Sequence, residues 1–147
     1  MRSLIFAIFS VFFAGSALAT EALQVDLSTS SIGQQQQLIL KAINNDSKYS
    51  EMTPADRASV EAALAEISET LEGGKNIASL DAQSKQKVDL HQEEVNRLLS
   101  KAFRDSRLVC TKEAAIGTNM LKRLCKTAAA RARDNDISRA NGVKVNQ

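Results

Sequence analysis

The sequence predicts a mainly α-helical protein in which a short helix and an antiparallel helical hairpin precede a small disulfide-closed β-hairpin and a loose C-terminal tail. Two stretches carry apolar residues at helical spacing, and each begins at a residue that can cap a helix. The only two cysteines, Cys110 and Cys125, flank a segment with a glycine near its centre. We divide the chain into a signal peptide (residues 1–19), a flexible leader (20–31), a helical region (32–105), a disulfide-closed hairpin (106–127) and a basic tail (128–147).

The N-terminal segment has the three parts of a secretory signal peptide. Arg2 provides a positive charge, residues 4–14 form an apolar run, and Ala17-Leu18-Ala19 is a cleavage motif of the small-x-small type. The apolar run is shorter than the roughly 20 residues that span a bilayer. We therefore expect cleavage near Ala19, a mature chain without a transmembrane segment, and a periplasmic or secreted location.

A polar stretch separates the signal peptide from the first helix. Residues 20–31 have no clear apolar period, so we expect a flexible leader. Ser31 and Gln34 have the spacing of a capping box, and the helix that they start should end near Asn44, where a polar run begins. The apolar residues of this helix fit one face: Ile32, Leu38, Ile39, Ala42 and Ile43.

The second helix has the clearest start in the chain. Thr53 can cap it, Pro54 suits the first helical position, and Asp56 suits the positive end of the helix dipole. A single apolar stripe follows, and Gly73-Gly74 ends the helix. The stripe consists of Val60, Leu64, Ile67 and Leu71.

A longer third helix is predicted over residues 82–105, with Asp81 as its N-cap. Its apolar seam consists of Val88, His91, Val95, Leu98, Leu99, Ala102 and Phe103. Because a short glycine-containing link joins it to the second helix, the two should pack antiparallel with their stripes in contact.

The cysteine segment predicts a β-hairpin. Gly117-Thr118, preceded by Ile116, forms the predicted tip, because glycine adopts a positive φ without steric cost. Cys110 then lies opposite Cys125, and a disulfide between them is expected in an exported protein. Two separate buried thiols are the alternative. A cross-link over about 15 residues contributes roughly 3 kcal/mol in the chain-entropy model.

The hairpin loop has two possible lengths. A two-residue loop would place the cysteines at a hydrogen-bonded pair, where the Cα atoms are about 5.5 Å apart. A four-residue loop over residues 116–119, or a bulge, would place them at a non-hydrogen-bonded pair, about 4.5 Å apart. The shorter distance suits a disulfide better, so the four-residue loop is favoured.

Charge is distributed unevenly along the chain. Residues 20–100 contain 13 acidic and 7 basic residues, whereas residues 101–147 contain 11 basic and 4 acidic ones. Such asymmetry predicts either an anionic partner or an electrostatic match with the acidic helices of the same chain. The basic residues around the hairpin are the candidate binding residues: Arg107, Lys112, Lys122, Arg123 and Lys126.

The residue pattern does not favour catalysis. His91 is the only histidine, and its place on a helical seam is typical of a packing residue. A zinc site needs three or four ligands, and with the cysteines paired these are lacking. The sequence contains no phosphate-binding glycine loop, GxSxG or HExxH motif. We therefore expect a protein that is not an enzyme and that holds no cofactor or metal.

Three segments carry a resemblance to a known family: SEMTPADRASVEAALAEI, LHQEEVNRLLSKAFRDSRLVC and a Cys-x14-Cys segment that contains a central Gly-Thr. Over most of its mature length, the chain resembles a family of small, uncharacterised proteobacterial exported proteins. This chain has Ile116 where the family has threonine. The resemblance implies export and a disulfide, and it implies no known activity or catalytic residue.

Two functions follow as hypotheses. The first is a non-catalytic binding module whose basic hairpin engages an anionic envelope polymer, a lipid head group or an acidic protein. Nucleic acid is not an expected partner of an exported protein. The second is an inhibitor of a secreted or periplasmic enzyme, with the hairpin tip as a rigid insert.

Overall fold

The computed structural model describes residues 21–28, 31–72, 76–114, 117, 120–140 and 142, and the predicted signal peptide lies outside these residues. The predicted fold class, a mainly α-helical protein with a small disulfide-closed β-hairpin, is confirmed. The elements are, in order, helix α1 (Ile32–Asn45), a 3₁₀ turn (Ser47–Tyr49), helix α2 (Pro54–Thr70), a second 3₁₀ turn (Ile77–Ser79), helix α3 (Ala82–Ser106), strand β1 (Leu108–Ala114), strand β2 (Leu121–Thr127) and helix α4 (Ala128–Ala140).

Helices α2 and α3 form the predicted antiparallel pair. Lys101, late in α3, forms an ion pair with Asp56 at the start of α2, and Lys87, early in α3, forms one with Glu66 near the end of α2. The predicted caps of these two helices are confirmed. The Thr53 hydroxyl accepts a hydrogen bond from an N–H of the first turn of α2, and the Asp81 carboxylate accepts two from the first turn of α3.

Helix α1 differs from its prediction in two respects. Ser31 is the N-cap residue, but its side chain makes no capping hydrogen bond, so the predicted capping box with Gln34 is wrong. Leu38 is exposed, and the buried positions are Gln35, Ile39 and Ile43. These three lie four residues apart and form the single stripe that faces the rest of the protein.

Among the described residues, the core is aliphatic apart from the Met52 thioether and the buried Tyr49 ring. It is formed between α1, α2 and α3 by residues such as Val60, Leu64 and Leu99, each of which is fully buried. Tyr49, in the first 3₁₀ turn, closes one end of this core, and its ring lies 6.4 Å from that of Phe103. Its hydroxyl accepts a hydrogen bond from the Leu23 amide, and burial raises the pKa of Tyr49.

The predicted flexible leader is wrong for residues 21–28, which are packed against the helices. Val25 is buried in the core cluster. Its amide donates a hydrogen bond to Asn96 Oδ1, and its carbonyl accepts one from Asn96 Nδ2, at 2.7 and 3.1 Å. Asp26 exchanges two similar hydrogen bonds with the Gln35 side chain. Because these partners lie on α1 and α3, the segment acts as an extended strap across the body.

The predicted loose tail is wrong for residues 128–140, which form α4. The Thr127 hydroxyl accepts a hydrogen bond from the Ala130 amide and caps the helix. Helix α4 also forms an ion pair with Glu51, which lies between the first 3₁₀ turn and α2. This local cap and the distant ion pair offset the low helix propensity of residues such as Asn135. Of the remaining tail, only Gly142 is among the described residues.

Candidate basic surface on the disulfide hairpin

The hairpin is closed by the Cys110–Cys125 disulfide, as predicted. The two cysteines are directly opposite each other, with their Cα atoms 4.0 Å apart. The Ala128 amide donates a hydrogen bond to the Arg107 carbonyl, one step beyond the end of the ladder. Because hydrogen-bonded pairs alternate in an antiparallel ladder, the cysteines occupy a non-hydrogen-bonded pair. This is the ladder phase that the four-residue loop predicts.

The pleat of the strands divides the hairpin into two faces. We call one the disulfide face; its residues are Leu108, Cys110, Lys112, Ala114, Leu121, Arg123, Cys125 and Thr127. We call the other the helix face; its residues are Val109, Thr111, Glu113, Lys122, Leu124 and Lys126. Arg131 of α4 donates a hydrogen bond to the Thr111 hydroxyl, and Asp134 of α4 pairs with Lys126. Helix α4 therefore packs against the helix face.

Lys112 and Arg123 lie opposite each other on the disulfide face. Both side chains are exposed, and neither forms an ion pair with another residue that the structure describes. Cross-strand side chains of this kind are about 5 Å apart at Cβ, so two like charges repel each other. The Cys110–Cys125 disulfide, which is the next pair on the same face and lies two positions along each strand, holds them in this register.

The other three predicted binding residues do not join this pair in one patch. Lys122 lies on the helix face, directly opposite Glu113. Lys126 lies on the same face and forms an ion pair with Asp134 at 2.6 Å, an interaction that lowers the pKa of the Asp134 carboxyl. Arg107 is the exposed residue between α3 and β1, at the base of the hairpin.

Part of the C-terminal basic charge is matched within the chain. Arg133 of α4 pairs with Glu51, and Lys101 of α3 pairs with Asp56. The hydrogen bond from Arg133 is the main reason that the pKa of Glu51 is lowered, and the hydrogen bond from Thr127 contributes next. The electrostatic match that the sequence predicted as an alternative therefore exists, but it leaves Lys112 and Arg123 unmatched among the described residues.

The tip of the hairpin is described only in part. Gly117 has a φ of +80°, which agrees with its predicted place in the turn. Ile116 and Thr118 lie outside the described residues. Met120 and Leu121, where the chain enters β2, are 72% and 65% exposed. The described end of the hairpin therefore presents apolar side chains beside its cationic ones.

His91 lies half-buried on α3, close enough to Glu66 to contribute, after Lys87, to the lowered pKa of that carboxyl. Within the described ranges, no group of three or more His, Cys, Asp or Glu side chains has the arrangement of a metal site. In the same part of the chain, no helix combines the length and the apolar character needed to cross a membrane.

Sequence reasoning missed two residues that matter to this region. Glu51 contacts three elements, because its amide donates to Ser106 on α3 and its carboxylate accepts from Thr127 and Arg133. Lys48 is exposed in the first 3₁₀ turn, next to the hairpin base. The sequence feature that could have pointed to this segment is Tyr49, the single tyrosine of the chain. Its side chain is buried, which holds the 3₁₀ turn against the helices.

Comparisons with known proteins give no match: no family model, no curated protein and no solved structure matches the chain.

Proposed function

We propose that the protein is an exported, non-catalytic binding module that uses the disulfide face of its hairpin to engage an anionic partner. The observation that carries this proposal is the cross-strand pair of Lys112 and Arg123, exposed and without an ion-pair partner among the described residues. Like charges directly opposite each other in a sheet are destabilising. An anionic group bound between them would relieve that repulsion.

Rigidity of the hairpin supports the proposal. An isolated two-stranded hairpin is marginally stable in water, and here the disulfide and α4 hold it in place. A surface that is ordered before binding loses less conformational entropy when the partner arrives. The hairpin is thus suited to present two cations at a fixed separation.

The partner class follows from the charge. An anionic envelope polymer, the head groups of a lipid surface or an acidic protein would each supply the required groups. Binding by exposed charges should weaken as salt increases, since the screening length is about 10 Å at 0.1 M ionic strength. Lys122 and Arg107, on the other face and at the base, would add to the general attraction rather than form direct contacts.

Export is part of this proposal. The disulfide is typical of proteins from oxidising compartments, and residues 1–19 have the pattern of a signal peptide. Mass spectrometry of the protein from a producing bacterium should find a mature N-terminus at Thr20. Membership of the exported family that the sequence resembles is proposed on the same grounds.

The experiment that tests the proposal is capture from an envelope extract. The oxidised protein is immobilised and compared with the double variant Lys112→Ser/Arg123→Ser at about 50 mM and about 300 mM salt. The control variant Lys41→Ser/Lys85→Ser removes the same charge from exposed positions on α1 and α3. We expect a partner that the wild type and the control retain at low salt, and that the double variant loses.

Equal capture by both double variants would refute the proposal. The two cations would then serve only to keep exposed strand edges from pairing with other chains, which is a common role of charges on edge strands. In that case the double variant should aggregate at lower concentration than the wild type.

A second candidate function is inhibition of a secreted or periplasmic enzyme by the hairpin tip. The exposure of Met120 and Leu121 favours it, because apolar side chains on a braced loop suit insertion into an enzyme cleft. Met120→Ser should then abolish binding, whereas Lys112→Ser/Arg123→Ser should have little effect. The reverse ranking would support the basic surface.

A further inference from the structure

A groove lies at the base of the hairpin, between the first 3₁₀ turn and the end of α3, and its volume is about 430 Å³. Phe103 and Leu108 provide apolar walls, and Thr127 lies at the strand end. Two cationic side chains, Lys48 and Arg107, also line it. Leu108 is 65% exposed, so its side chain is open to a ligand in the groove.

The two cations of the groove form no ion pair with any residue in the described part of the chain. The two carboxylates closest to Lys48 in sequence, Asp46 and Glu51, have other hydrogen-bond partners. Asp46 accepts a hydrogen bond from the backbone amide of Lys48, and Glu51 accepts hydrogen bonds from Arg133. The groove therefore combines an apolar interior with positive charge that no described residue neutralises through an ion pair.

This combination matches one class of ligand. Small-molecule sites have volumes of about 300 to 1,000 Å³, mostly apolar walls and a few polar groups that fix the orientation of the ligand. An acyl chain would cover Phe103 and Leu108, and a carboxylate at its end would meet Lys48 and Arg107. An uncharged apolar molecule would leave both cations without a counterion.

We propose that this groove binds a single-chain amphipathic anion of the fatty-acid class. Phe103 and Leu108 contact the acyl chain, and Lys48 and Arg107 bind the anionic head. The groove is separate from the Lys112 and Arg123 pair, so the proposal does not depend on the function proposed for the disulfide face.

The test is a binding titration of the full, oxidised protein with dodecanoate, followed by NMR below the concentration at which micelles form. Decanoate and octanoate complete the series. Each methylene that leaves water is expected to raise the affinity by up to about fourfold. The uncharged detergent dodecyl maltoside should bind more weakly than dodecanoate, because it offers no charge to the two cations.

Matched variants separate the groove from the rest of the surface. Leu108→Gln should weaken dodecanoate binding by about fivefold to tenfold. Leu121→Gln, which changes an equally exposed leucine on the same face of the hairpin but outside the groove, should not. Lys48→Ser should weaken binding of dodecanoate but not of dodecyl maltoside. Lys112→Ser/Arg123→Ser should leave dodecanoate binding unchanged even if it abolishes capture of an envelope partner.

Three results would overturn the proposal. The first is the absence of saturable dodecanoate binding by the wild-type protein. The second is an equal loss of affinity in Leu108→Gln and Leu121→Gln. The third is a stable dimer in sedimentation that takes up no dodecanoate, which would assign the groove to a second copy of the chain.

Discussion

Arg133 donates hydrogen bonds to both carboxylate oxygens of Glu51, a residue 82 positions earlier in the chain. The same carboxylate accepts a hydrogen bond from the Thr127 hydroxyl at the end of β2. Glu51 therefore connects the helical body to the hairpin and to α4. Because α4 in turn packs on the helix face of the hairpin, this contact helps to decide which face of the hairpin remains open.

Acid should loosen α4 through Glu51. Its pKa is lowered in the folded state, so its contribution to stability is fully present above the ordinary glutamate pKa of about 4.3. That contribution is lost as the pH falls through the lowered folded-state pKa. We expect the helical ¹³C shifts of residues 128–140 to decrease in that acidic range. Glu51→Gln should show the same decrease already at neutral pH, and helical shifts that remain unchanged in this variant would contradict the role of Glu51.

Reduction of the disulfide should release the hairpin and leave the helical body folded. Neither strand contains a buried residue, so the hairpin depends on the cross-link and on α4. In the chain-entropy model the cross-link contributes roughly 3 kcal/mol. Hydrogen exchange of the Cys110→Ser/Cys125→Ser variant should show lost protection over Leu108–Ala114 and Leu121–Thr127. Equal loss of protection in α2 and α3 would show that the body needs the disulfide.

Asn96→Ala should loosen the strap formed by residues 21–28 around Val25. The Asn96 side chain makes both hydrogen bonds to the Val25 backbone, and their loss leaves two backbone groups unsatisfied. We expect a destabilisation of about 1 to 3 kcal/mol, together with faster proteolysis near Val25. Asn45→Ala is the matched control, because that side chain bonds only a carbonyl of its own helix. If both variants behave alike, the strap is not held by Asn96.

Leu99→Ala should destabilise the whole body. Leu99 is fully buried at the centre of the core cluster, and truncation of such a residue costs about 2 to 5 kcal/mol. Leu90 lies on the same helix but is 60% exposed, and Leu90→Ala should change stability by less than about 0.5 kcal/mol. Urea unfolding of the two variants, followed by circular dichroism, measures this difference. Similar midpoints would mean that α3 does not face the core as described.

Features that depend on near neighbours in sequence could be predicted. Thr53 and Asp81 cap their helices through amides two or three positions away, and the α2 stripe follows from helical periodicity alone. The pairing of Cys110 with Cys125 follows from a glycine at the centre of the segment. Each of these needs no knowledge of the rest of the fold.

Features that depend on distant partners could not be predicted. The strap is held by Asn96, 71 positions from Val25, and α4 is held by Glu51. The same limit applies to the candidate site. Strand alternation places Lys112 and Arg123 on one face, but only the docking of α4 shows that Lys126 is engaged by Asp134 and that this face is the open one.

The most direct test of the basic surface is photo-crosslinking in the producing cell. Leu121 is replaced by benzoylphenylalanine, which leaves every cation of the disulfide face in place. Leu90, an exposed leucine on α3, receives the same replacement as a control. The account predicts a crosslinked partner at position 121 that disappears when Lys112→Ser/Arg123→Ser is added, and no such product at position 90. A partner crosslinked only from position 90, or one at position 121 that is indifferent to the two cations, would contradict it.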